Sequence, residues 1–341
     1  MRKFIVALVL LIGVMFIITR FTKFETIIST IQEGDWRFIA LGLILEFAWL
    51  VNIAASFQAI YKALGVDEKI KNLIMIAAAA NFVNVVTPTG GVGGMAIFIS
   101  EGQRRNCSAA RVTVASALYL LFDYTGFLCV LTLGVIVLIR RNNLNLPEII
   151  ASGIMVLIVV LLATLLLLGA QSAQALGNAL AWGARTINKL LRPVLPKKHR
   201  QYLSEGRAHE FAHDVVDGIR CIIDQPKNLI MPALLALSNK ALMISILFMT
   251  FMAFRVPLSV GTLIAGYSIA FLFSIVSPTP SGVGIVEGTL TLALHSFYIP
   301  LSASAVIAIA YRGITFWAPL LAGMVAFRVL GVEGNDKQPT E

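Results

Sequence analysis

The chain has 341 residues, of which 58% are hydrophobic and 13% charged, with a mean hydropathy of +0.84 and a formal net charge of +9. That is too apolar for a soluble globule, so the expected fold is one all-α polytopic membrane domain in place of a string of soluble domains. Cys107, Cys129 and Cys221 stand at unrelated positions, which argues against a disulfide framework or a cysteine metal site. Nothing resembles the glycine-rich phosphate loop of an ATP-driven pump.

Residues 1–22 open with Met1-Arg2-Lys3 and an apolar run, show no small-residue cleavage site, and read as a retained N-terminal span. Residues 36–140 read as a first repeat: a span at 37–62, a broken apolar run at 72–100, and a span at 112–139. A connecting span follows at 149–170. Segment 171–228 differs in kind, with Trp182, Ile187, Leu190 and Leu191 interleaved with Arg185, Lys189 and Arg192, and a second apolar stripe of Phe211, Val215, Ile219 and Ile222. It reads as a cytoplasmic amphipathic connector, with recruitment of lipid headgroups as the sharper alternative. Residues 229–330 form a second repeat, with spans at 229–254 and 302–328 around another broken run at 258–298. The polar tail 331–341 is expected to be disordered.

The two repeats align without a gap over their most informative stretch. Val66–Thr89 lies over Val256–Thr279 at a constant offset of 190, with Leu73/Leu263, Ala80/Ala270, Val86/Val276, Pro88/Pro278 and Thr89/Thr279 among the identities. One residue later in register, Gly91-Val92-Gly93 matches Gly282-Val283-Gly284. Proline and glycine in the middle of both runs predict two half-helices with a buried break, a re-entrant hairpin. With the N-terminus inside, nineteen of the 27 Lys and Arg fall on the cytoplasmic side and six outside, as the positive-inside rule favours. Arg140 and Arg141 fit that orientation poorly. Three crossings separate the two hairpins, so the repeats are expected to be inverted and the hairpins to meet near the midplane, where transporters bind their cargo.

Three groups of residues could carry chemistry. The hairpin tips come first, because N–H groups at the start of each returning half-helix suit an anion such as phosphate. Thr87, Thr89, Gly91 and Gly93 in one tip and Ser277, Thr279, Ser281, Gly282 and Gly284 in the other are the candidates. The plainer reading is that the glycines only permit close helix packing. Second are ionisable residues inside spans, Glu46, Asp123, Lys240, Glu287 and Arg312, each costing about 2.5–3.5 kcal/mol at the bilayer centre unless paired or facing a cavity. Arg312 is the candidate for holding a phosphate through its planar fork. Glu287 could serve an amine or a coupling proton, or pair with Arg312. For Glu46 and Lys240 a structural ion pair is an equal alternative. Third, His209-Glu210-Phe211-Ala212-His213 has the spacing of a zinc-protease helix, with Asp217 as a third ligand, but a solvated polar face explains it as well.

Ser277–Gly288 (SPTPSGVGIVEG) and Ala308–Gly323 (AIAYRGITFWAPLLAG) resemble the lysylphosphatidylglycerol synthase/flippase membrane domain family, through Pro278, Gly282, Gly284, Glu287, Tyr311, Arg312, Phe316 and Pro319. The resemblance spans nearly the whole chain and implies a lipid translocase, with Glu287 and Arg312 as cavity charges and the two tips as a central gate. The soluble synthase domain of two-part members has no counterpart here, so a non-enzymatic role is expected. The combined reading is a flippase or scramblase for a phosphate-bearing lipid such as an aminoacyl-phosphatidylglycerol. Transport of a polyprenyl phosphate, a zinc protease and a non-transporting scaffold are the alternatives. No cofactor and no nucleic acid are expected. The expected partners are membrane phospholipid, a separate lipid-modifying enzyme and, without a stated number, further copies of the chain. The expected location is a bacterial or archaeal cytoplasmic membrane, with the N-terminus cytoplasmic.

Overall fold

The computed structural model describes residues 34–86, 92–104, 108–191, 215–216, 226–277 and 279–335. The N-terminal span 1–22, the tip residues Thr87–Gly91, most of the connector after Leu191 and residues 336–341 lie outside the described residues. Eleven α-helices make up nearly all of the rest, and no strand occurs among the described residues. In chain order they are α1 (Trp36–Ala63), α2 (Ile70–Val86), α3 (Val92–Arg104), α4 (Ala109–Arg140), α5 (Leu146–Gln171) and α6 (Ala173–Leu191). After a 3-10 turn (Pro226–Leu229) come α7 (Ile230–Ala253), α8 (Val260–Val276), α9 (Ile285–Ser296), α10 (Leu301–Arg312) and α11 (Ala318–Asn335). A π-helical turn, Gly313–Trp317, joins α10 to α11. The helix continues to Asn335, four residues past the start of the expected tail.

Local chemistry sets the helix ends. Asp35, Ser108 and Ser259 each cap a helix by accepting a backbone N–H from Arg37, Arg111 and Thr262. At α5, the Glu148 carboxylate reaches back to the Asn145 N–H (3.1 Å), and Pro147 occupies the first turn. Five segments are long and apolar enough to cross a membrane: Trp36–Ala63, Ala109–Arg140, Leu146–Gln171, Lys227–Ala253 and Leu301–Gly331. They agree with the expected spans. By contrast α2 and α8, with 17 residues each, reach only about 25 Å at 1.5 Å per residue. That is short of the ~30 Å hydrocarbon core. Leu157, Val160 and Leu161 on α5, and Leu234, Leu321 and Val325 elsewhere, stand exposed on the outside. So large an apolar surface is stable only against lipid.

The 190-residue offset recurs in the backbone. α2 and α8 begin and end 190 residues apart. The turn before each is built alike: the Val66 N–H bonds to the Tyr61 carbonyl (2.8 Å), and the Val256 N–H to the Phe251 carbonyl (3.1 Å). Gly65 and Arg255, again 190 apart, both take positive φ, +71° and +51°. Leading spans α1 and α7 pack antiparallel: the Asp35 N–H meets the Ala253 carbonyl (2.8 Å) at one end. Midway, Trp49 Nε1 donates to Asn239 Oδ1 (3.0 Å), two residues that are also 190 apart.

Each short helix crosses the long helix of the other half at a glycine. A Cβ on Gly134 of α4 would collide with Ser268 of α8, and one on Gly323 of α11 would lie 2.5 Å from the Ala78 carbonyl of α2. Ala78 and Ser268 are themselves 190 apart. Small residues at such crossings let backbones approach, and dispersion and interhelical hydrogen bonds then hold helices that lipid does not squeeze together. Gly323→Ala is expected to cost about 1–3 kcal/mol, as overpacking does, because the obstructing atom is backbone and cannot swing aside. The apparent melting temperature of the detergent-purified variant reads this; an unchanged value would mean that the two helices separate freely. At one end of the molecule Arg141 donates to Thr262 Oγ1 (3.0 Å) and Ser259 Oγ (2.8 Å) and lies over the Phe297 ring. Its charge thus fastens α4 to the start of α8, a structural reason for an arginine that the charge rule leaves unexplained.

Candidate functional site: a cavity between the two halves

Between the halves lies a cavity of about 310 Å³. Asn84 and Val85 at the end of α2 and Gly94 and Met95 of α3 line it from the first half. Ser274, Ser277, Thr279 and Ser281 line it from the second, so the broken runs face one another across the same space. Asp123 and Arg312 complete its charged lining, and Trp49, Phe57, Tyr119, Tyr124, Tyr311 and Phe316 are among the rings around it.

The second tip is built from Pro280, Ser281 and Gly282 in a 3-10 turn followed by α9. Ser281 and Gly282 take φ of +47° and +71°, and Gly284 takes +85°. Glycine adopts this left-handed backbone freely, whereas serine does so at a cost that needs support. Support comes from Arg312, whose terminal guanidinium nitrogen donates to the Ser281 carbonyl (3.0 Å). A side chain at Gly282 would strike Val286 and the Ser274 backbone, so the turn admits no other residue there without rearrangement. Ser277 Oγ and Thr279 Oγ1 bond each other (2.8 Å), and Thr279 also donates to the Val283 carbonyl (3.0 Å). These hydroxyls knit the tip as well as facing the cavity.

The anion at the start of α9 is the chain's own. Glu287 Oε2 accepts the Gly284 N–H (2.8 Å), and Oε1 accepts from Arg312 Nε (3.1 Å). A helix N-terminus attracts negative charge, and here an internal carboxylate fills it. Arg312 therefore sits in the cavity wall with one carboxylate already bound. Two of its five donors are engaged in these bonds, and its guanidinium lies over Phe316, 4.5 Å from Cζ to ring centroid. The π-helical turn that begins directly after Arg312 is a distortion common at functional sites.

Asp123 pairs with Lys240, Nζ to Oδ1 at 2.6 Å, and Lys240 also lies 4.1 Å from the Phe271 ring centroid. Both partners are buried. Of the ionisable candidates, then, four form two ion pairs, each joining separate helices, and each pair puts one member on the cavity. Glu46 is buried and neither carboxylate oxygen has a hydrogen-bond partner. Gly93 lies in the first turn of α3 beside Gly94, whose N–H donates to Asn84 Oδ1 (2.6 Å). Thr87, Thr89 and Gly91 lie outside the described residues, as do His209, His213 and Asp217. Among the described residues no cluster of metal-ligating side chains occurs.

Sequence reasoning passed over Asn84 and the aromatic lining. Asn84 sits six residues before Gly90, and nothing in its local pattern announces a cap on the next helix.

The profile of the family described as the lysylphosphatidylglycerol synthase transmembrane region matches residues 4–323. A protein of Methanothermobacter thermautotrophicus designated a UPF0104 membrane protein is 21% identical over 313 residues, which cover 91% of this chain and 90% of the relative. A second UPF0104 membrane protein, from Methanocaldococcus jannaschii, is 22% identical over 340 residues, covering 97% of this chain and 96% of the relative. Both relatives are archaeal. The long apolar helices and the family match together make this chain a multi-pass integral membrane protein that belongs to the lysylphosphatidylglycerol synthase transmembrane-region family.

Proposed function

We propose that this protein moves a phosphate-bearing lipid with a small polar headgroup between the two leaflets of the membrane. The observation that carries the reading is the cavity itself, about 310 Å³ of largely apolar space with a few polar and charged groups, lined by both halves at the point where each has a broken apolar run. Broken helices in corresponding positions of two halves are the usual setting of a transporter site. The two halves act as inverted repeats, their hairpins re-entrant, and the headgroup sits where the tips converge while the acyl chains stay in lipid.

The headgroup phosphate takes the donors of Arg312 that face the cavity, with the Ser277 and Ser281 hydroxyls beside it. Because Glu287 already neutralises Arg312 and Lys240 neutralises Asp123, the lining adds little net charge. Such a wall suits a headgroup carrying both signs better than a strongly anionic one. An aminoacyl-phosphatidylglycerol fits this description, and a separate lipid-modifying enzyme would supply it. A polyprenyl phosphate offers the phosphate alone. The protein acts as a transporter and not an enzyme, in a cytoplasmic membrane with its N-terminus inside.

The test is leaflet exchange of labelled lipids in proteoliposomes, comparing phosphatidylglycerol, lysyl-phosphatidylglycerol and a polyprenyl phosphate. Exchange of one of them well above protein-free vesicles is the expected result. Rates equal to empty vesicles for all three, with and without an imposed potential, would sink the reading.

A further inference from the structure

We propose that Glu46 is the proton-carrying group of the lipid-moving cycle, taking up and releasing one proton as the cavity changes sides. This role rests on the transport reading above. The starting observation is chemical: Glu46 is 5% exposed, and both of its carboxylate oxygens lack any hydrogen-bond partner. The other buried acids among the described residues are already committed. Asp123 holds Lys240, Glu287 holds Arg312 and the Gly284 N–H, and Glu101 holds Arg104 at 2.7 Å. Protonating Asp123 or Glu287 would strand a buried cation, and Glu101 answers to a half-exposed arginine away from the cavity; protonating Glu46 strands nothing.

Position ties this carboxyl to the cavity. Glu46, Trp49, Ile53 and Phe57 follow one face of α1 at intervals of three and four residues, and the last three line the cavity. Tyr311, a cavity residue adjoining Arg312, is close enough to Glu46 to interact with it electrostatically. α1 also packs on the π-helical turn, where Gly42 meets Ile314. Glu46 thus stands beside the distorted segment that carries the cavity arginine.

The neighbouring charges leave this acid to itself. On α7 the ionisable residue is Lys240 and on α4 the nearby acid is Asp123, and these two bind each other. Arg312 of α10 is bound to Glu287. Lys71 of α2 and Lys227 of the 3-10 turn belong to the opposite end of α1, since α1 and α7 run antiparallel with residues 35 and 253 at one end. The π-helical turn has no titratable side chain. Among the described residues Tyr311 remains as the near group. A metal cation needs several oxygen ligands around it, and Glu46 has no other oxygen bonded to it. A proton needs one carboxyl. Carrying it, Glu46 is a neutral acid that a dry apolar site tolerates; releasing it requires the water that enters when the cavity opens.

Infrared difference spectra of the full-length protein, recorded across a pH titration, test the site without any transport. A protonated-carboxyl band that titrates in wild type and is missing in Glu46→Gln is the expected result. The same band in both proteins overturns the assignment. Vesicles carrying a pH difference of one unit test the coupling. With one proton moved per lipid, the steady-state leaflet ratio of the labelled lipid shifts about tenfold in wild type and stays even in Glu46→Gln. Exchange that ignores the gradient in wild type overturns the coupling and leaves lipid movement standing. A Glu46 band without any lipid exchange supports the proton site and overturns the transport reading instead.

Discussion

Lys240→Met should destabilise the protein by about 3–5 kcal/mol, the cost of stranding one partner of a buried ion pair. Lys240 is among the largest fully buried side chains, and its ammonium is placed between the Asp123 carboxylate (2.6 Å) and the Phe271 ring. Removing it leaves Asp123 charged against apolar helices or forces it to bind a proton. The double variant Lys240→Met with Asp123→Leu should recover most of the loss, because well-packed apolar residues often replace a buried pair at little net cost. Apparent melting temperatures of the single and double variants in detergent give the coupling between the two residues. Equal losses in all variants would mean that the pair does not hold α4 against α7. The double variant also separates stability from function: it should fold, yet exchange lipid differently, since Asp123 lines the cavity.

Arg312→Ala carries the second large effect, on transport. It strands Glu287, frees the Ser281 carbonyl in its left-handed turn, and strips the cavity of its arginine. Exchange should fall to the protein-free rate. Because the fold also weakens, the informative companion is Arg312→Lys. Lysine keeps a positive charge for Glu287 but, as a single point charge without a planar fork, it cannot also hold the Ser281 carbonyl and a phosphate in one plane. One lost hydrogen bond involving a charged group is worth about 1.5–3 kcal/mol. Exchange by a folded Arg312→Lys protein should therefore slow by roughly 10- to 100-fold. Wild-type exchange in both variants would remove Arg312 from the site and leave it a purely structural clamp on the second tip.

Much of the architecture was legible in the chain because its causes are local. A run of some twenty apolar residues forms a helix that only a bilayer can solvate, whatever its neighbours are. Proline and glycine interrupt a helix through their own backbone, so the broken segments also announced themselves. The offset of 190 was visible as letters, and it reappears as matched turns, equal short helices and the Gly134–Ser268 and Gly323–Ala78 crossings.

What the charges do was settled only by packing. Glu287 and Arg312 are 25 residues apart and Lys240 and Asp123 are 117 apart, so no periodicity within one helix could assign the partners. The sequence offered Glu287, Asp123, Glu46 and Lys240 as intramembrane charges, with a pair to Arg312 as one reading of Glu287, and the helix starts as open anion sites. Tertiary contacts set Glu287 into the start of α9, locked Asp123 to Lys240 and left Glu46 alone. The physical reason is that an ion pair forms between helix faces that meet, and which faces meet depends on the glycine crossings and on the antiparallel seam of α1 and α7. Apolar pattern determined where the chain enters the membrane; the fit of helix on helix decided which of the described buried charges pair with one another.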